Sequence, residues 1–79
     1  MLYSKGNGGA FQMGISANVK NFRKKAGLSQ MDLAEKTGLS IATIQGYEQG
    51  RYNPKINALT KLCVVLDCKI TDLICNDLN

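Results

Sequence analysis

Histidine is absent from this chain, its three cysteines are an odd number, and no apolar run approaches membrane-spanning length. Each shortage narrows what the chain can do. Without histidine, the commonest general base is missing. No pair of carboxylates sits at helical spacing in an apolar surround, and the glycines among the first 14 residues follow no strand, so they form no phosphate-binding loop. The chain is therefore read as no enzyme, with no cofactor and no small-molecule ligand implied. Cys63, Cys68 and Cys75 would leave a zinc ion short of its fourth protein ligand, and their spacings are not C-x-x-C pairs, so no metal site is expected. Cys63 and Cys68 read instead as buried, reduced thiols that behave as small hydrophobes, with Cys75 nearer the end and exposed. A bilayer span needs ~20 consecutive apolar residues. None is present, and the N-terminus carries no continuous apolar signal core, so no membrane partner and a cytoplasmic location are expected. Internal repeats and β-hairpin signals are also lacking.

What the sequence does contain is helical periodicity and an uneven charge. Seventy-nine residues with 44% hydrophobic content suffice for one small domain. Residues 1–55 hold eight lysines and arginines against three carboxylates, whereas residues 56–79 hold two against three. A polyanion partner would require such an excess on one side; a merely soluble basic surface is the alternative. Residues 1–14 carry four glycines and no sustained period, and are expected to be a flexible segment. An arm reaching along DNA is the alternative there, with Lys5 as its only charge.

The segment 29–48 reads as helix, tight turn, helix. Ser29 is suited to cap the first helix, with Asp32 three residues on near its positive end. Leu33, Ala34 and Thr37 share one face, while Glu35 and Lys36 face water. Gly38 can take positive φ and stop the helix, Leu39 drops into the core, and Ser40 caps a second helix that buries Ile44 and Tyr47. So short a connection forces a steep crossing and leaves the second helix projecting.

Gly27-Leu28-Ser29-Gln30, Leu33-Ala34-Glu35-Lys36-Thr37-Gly38-Leu39-Ser40 and Thr43-Ile44-Gln45-Gly46-Tyr47-Glu48-Gln49-Gly50, followed by Asn53-Pro54 and by Leu59, Leu62 and Leu66, together resemble a known pattern. It is the lambda-repressor-like helix-turn-helix of phage Cro/CI proteins and XRE-type bacterial regulators. The resemblance covers roughly 15–74 and implies an all-α, five-helix lambda-repressor-like DNA-binding domain over 15–75, with a short tail at 76–79. It also implies that Arg23 pairs with Glu48, tying the first helix to the third.

The remaining elements follow from periodicity. Ile15, Val19, Phe22 and Ala26 make one apolar stripe on a helix over 15–26, with Lys20, Lys24 and Lys25 off it. Pro54 suits the first position of a fourth helix capped by Asn53 and burying Ile56, Leu59, Leu62, Cys63 and Leu66. A short last helix is predicted over 70–75. Val64, Val65, Leu73, Ile74 and Leu78 together form an exposed apolar patch that pairs with a two-fold mate, or else Val65 and the terminal leucines finish the monomer core.

A domain of this kind meets double-stranded DNA through the projecting helix, with donors on either side for phosphates. Gln30 and the free N–H groups beside it are expected on one strand, and Arg51, Tyr52, Asn53 and Lys55 on the other. Ser40, Ile41, Ala42, Thr43, Gln45 and Gly46 are left for the groove. Repressors of the resembled family carry long polar side chains at the positions of Ile41, Ala42 and Gly46. Here those positions are short or apolar, so Gln45 is the only long amide, and thymine methyls and DNA shape take a larger share. Gly46 either lets the backbone approach DNA or relieves crowding. The expected function is a sequence-specific transcriptional regulator, a phage or bacterial repressor acting on its operator as a homodimer. The alternative is a protein-interaction module such as an antitoxin or phage accessory factor, whose binding would be far less sensitive to salt.

Overall fold

A computed structural model describes residues 14–74, which form five α-helices and no strand. They are α1 (Gly14–Lys25), α2 (Gln30–Thr37), α3 (Ile41–Gln49), α4 (Ile56–Leu66) and α5 (Ile70–Ile74). The readings for residues 1–13, Cys75, Leu78 and the tail at 76–79 lie outside the described residues.

The core is built from one stripe per helix. Val19, Leu33, Ile44, Leu62 and Leu73 are fully enclosed, with Ala34, Tyr47, Leu59, Cys63 and Leu66 around them. Leu28 and Leu39, the residues after Gly27 and Gly38, are half-buried and pack against this cluster. α1 lies centrally, touching α3, α4 and α5, while α2 bridges α3 and α4. α3 rests on α1 and α2 and leaves its far side open.

Several expectations are corrected at this level. Ala26 falls after α1 has ended and is exposed; Val19 is fully buried, Ile15 and Phe22 pack half-buried against the core, and Ser16 and Arg23 are buried as well. α4 begins two residues later than Pro54 suggested. Residues 53–55 continue the loop, Pro54 is buried within it, and Lys55 stands at the N-cap without a side-chain bond. Ile56 then sits at the first helical position, at the free end of the buried stripe, and is 62% exposed. Of the two readings left open for Leu73, the core is the one observed, and its carbonyl accepts from Asn18 Nδ2 at 2.7 Å, fastening α5 onto α1. Val64 and Ile74 do face outward. Cys63 is buried and Cys68 half-buried, both as free thiols. Burial, with Cys63 close by, pushes the Cys68 thiol up to about 11. Among the described residues no helix is long and apolar enough to cross a membrane.

Candidate nucleic-acid interface

The chain turns from α2 into α3 through Gly38, Leu39 and Ser40. Ser29 and Asp32 close the start of α2 as a reciprocal pair: Asp32 N–H donates to Ser29 Oγ at 2.9 Å, and Ser29 N–H to Asp32 Oδ2 at 3.0 Å. These hydrogen bonds hold the Asp32 carboxyl below its usual range, so it stays charged at the positive end of the helix. Thr37, buried near the other end, donates its hydroxyl to Leu33 O at 2.7 Å. Gly38 then adopts φ 78° and returns its N–H to Ala34 O, reversing the chain within one residue. Ser40 restarts it: its Oγ accepts from Thr43 N–H at 3.1 Å and shares a 2.8 Å bond with the Thr43 hydroxyl.

The tilt of α3 is held from beneath by a charged pair. Arg23 Nε donates to Glu48 Oε2 at 2.6 Å and Nη2 to Glu48 Oε1 at 3.0 Å, while Nη1 reaches the Leu28 carbonyl at 2.9 Å. The two side chains are only 10% and 3% exposed, so both charges have left water and depend on each other. A planar guanidinium meeting a carboxylate at two points also fixes orientation, which a single contact would not.

That carboxylate reaches further. Gln30 Nε2 donates to Glu48 Oε1 at 3.1 Å, and Gln45 Nε2 stands at a long 3.5 Å from Gln30 Oε1. Because Glu48 can only accept, Gln30 must give it the NH₂ and turn its carbonyl toward Gln45. Gln30, expected to face a phosphate, is half-buried and gives one amide hydrogen inward to Glu48. Its separation of 18 residues from Glu48 left no local trace in the sequence.

On the open side of α3, Ser40, Ile41 and Ala42 are exposed, Thr43 and Gln45 half-buried. Arg51, Tyr52, Asn53 and Lys55 all lie exposed in the segment that follows the helix. Gly46 departs from its expected place, because it is buried beneath Tyr52. A methyl group built on Gly46 would overlap the Tyr52 ring, so of the two readings for this glycine the structure supports relief of crowding. Tyr52 donates its hydroxyl to Ala42 O at 3.3 Å, and its ring meets Tyr47 edge-on with centroids 5.6 Å apart. A glycine inside a helix, followed six residues later by a loop tyrosine, was the available signal. Met31, in the first turn of α2, is 58% exposed.

Comparison with known proteins shows the family. The HTH_3 helix-turn-helix family model matches residues 19–73, from the buried valine of α1 to the buried leucine of α5. The chain belongs to that family, which is of the XRE and lambda-repressor-like kind. A relative from Archaeoglobus fulgidus, named as an uncharacterized HTH-type transcriptional regulator, is 37% identical over 59 residues, covering 75% of this chain and 84% of that protein. The immunity repressor protein of Bacillus phage phi105 is 31% identical over 62 residues, 78% of this chain and 43% of its own length. Among solved structures, the restriction-modification controller protein C.AhdI from Aeromonas hydrophila superposes with a TM-score of 0.75 at 30% identity, covering 81% of this chain and 97% of that one.

Proposed function

We infer that this chain is a sequence-specific, DNA-binding transcriptional regulator of the repressor kind, which occupies operator DNA as a homodimer in the cytoplasm. The observation that carries the reading is α3, clamped underneath by the buried Arg23–Glu48 pair while Ser40, Ile41 and Ala42 stay open to a groove. Arg51 and Lys55 follow directly and supply phosphate partners on the side where α3 ends. A nine-residue helix reads only part of a useful operator, so a second copy one helical turn away supplies the other half-site. Val64, 76% exposed, and Ile74, 45% exposed, are apolar residues that such pairing would cover.

Selection from a random duplex pool at physiological salt tests the reading. A two-fold symmetric consensus is the expected result, and failure of any sequence to enrich overturns it. Arg51→Ala should weaken binding to the selected duplex about tenfold, roughly one charge-assisted contact, whereas Lys36→Ala, in the last turn of α2, should leave it unchanged. Equal losses would mean that DNA approaches another face.

One observation favours a second reading, a module that docks a protein: the exposed start of α3 is apolar at Ile41 and Ala42. Salt separates the two. Phosphate-led binding falls steeply as salt rises, and docking on an apolar face does not.

A further inference from the structure

We propose that Tyr52, from the loop after α3, serves as a base-reading side chain of the recognition surface and selects for an exocyclic amine, cytosine N4 or adenine N6. This rests on the DNA-binding reading above and assigns one contact within it. Three observations lead there. The volume that a side chain of residue 46 would fill is taken by the Tyr52 ring, because Gly46 has no Cβ and is buried beneath it. The ring is seated rather than loose, with Tyr47 edge-on at 5.6 Å. Yet Tyr52 remains 48% exposed, and its oxygen lies at the carbonyl of exposed Ala42, on the open side of α3.

The hydrogen-bond inventory decides what such a phenol can read. A hydroxyl has one proton, and here it is given to Ala42 O, which can only accept. What Tyr52 still offers outward is a lone pair. Phosphate oxygens carry no proton to give it, so the strand-holding role expected for this residue does not suit the geometry. In the major groove the donors are the amines of cytosine and adenine, and guanine and thymine present none there. Gly46 is thereby explained together with Tyr52: the helix omits a side chain where the loop returns one.

The test compares wild type, Tyr52→Phe and Gly46→Ala by selection from random duplex DNA. Each is then titrated across a salt series against the wild-type consensus and its single-base variants. Tyr52→Phe keeps the ring on Gly46 and Tyr47, so its fold is retained. Wild type is expected to require adenine or cytosine at one position of each half-site and to lose about fivefold when that base is replaced, the scale of one hydrogen bond. Tyr52→Phe should bind both duplexes alike with an unchanged salt slope, and Gly46→Ala, by displacing the ring, should show the same indifference. If Tyr52→Phe keeps the wild-type preference at every position, the proposal is wrong while the DNA-binding reading stands. If it weakens every sequence equally with a shallower salt slope, Tyr52 holds phosphate and the proposal is again wrong. A wild type that enriches no consensus sinks both.

Discussion

The two halves of the domain are held by different means. Around α3, helix ends are closed one by one: α2 and α3 each start on a serine that accepts a first-turn N–H and stop on a left-handed glycine. A buried ion pair then joins α1 to the end of α3. In the other half, α4 starts on Lys55 with no side-chain cap and stops on Asp67, which takes φ 56° without being glycine. That half is held by burial of Leu59, Leu62, Leu66 and Leu73, with the hydrogen bond from Asn18 Nδ2 to the Leu73 carbonyl fastening α5. Apolar burial is non-directional, whereas caps and a two-point ion pair specify where a helix begins and how it tilts. Directional contacts are thus concentrated where a projecting surface must be aimed, and burial does the rest.

The largest effect that can break this comparison comes from halving the ion pair. Arg23→Ala or Glu48→Ala leaves one buried charge without its partner and should lower stability by about 3–5 kcal/mol, read from urea unfolding. Replacing both, as Arg23→Met with Glu48→Leu, should recover most of that stability, because neither charge is then stranded. If the pair also aims α3, DNA affinity should not recover with it. Leu62→Ala comes next, with a loss of about 3 kcal/mol from the cavity it opens. Its folded fraction should keep the wild-type base preference; a changed preference would show that the apolar half also aims the surface.

Helix ends give smaller effects of opposite sign. Gly38→Ala should cost about 1–2 kcal/mol, since a side chain is forced into the left-handed region. Asp67→Gly should gain up to about 1 kcal/mol by relieving the same conformation. Thermal melts of the two variants measure both. The smallest effect is Asp32, whose carboxyl is held below 3.8 mainly by its bonds to Ser29. A depressed carboxylate contributes stability above its unfolded value and loses it as pH falls through the folded one. The stability gap between wild type and Asp32→Asn should therefore be constant near neutrality and close below about pH 3.8.

Much of this was legible from neighbours along the chain. Ser29, Gly38 and Ser40 act within a turn of their own position, so their residue types were enough to mark where α2 and α3 begin and end. Leu33, Ile44, Leu59, Leu62 and Leu66 sit inward because helical phase puts them there. On the candidate surface, phase likewise leaves Ile41 and Ala42 outward. It could not tell that Ile56, in phase with the same stripe, would lie at a free end, nor that Leu73 would be roofed by α1. Gln30, Gly46 and Tyr52 were less legible for a related reason: each has its partner on another element.

The sequence by itself determined the local quantities: helix limits to within a residue or two, the apolar phase of each helix, and an excess of positive charge before residue 56. These depend on residue types a few positions apart, where chain geometry is nearly the same in every protein. Only the tertiary structure decided that Glu48 orients Gln30 and that Tyr52 fills the space left by Gly46. Such contacts follow from how the helices and the loop after α3 come to rest on one another, which the packing of the whole core sets.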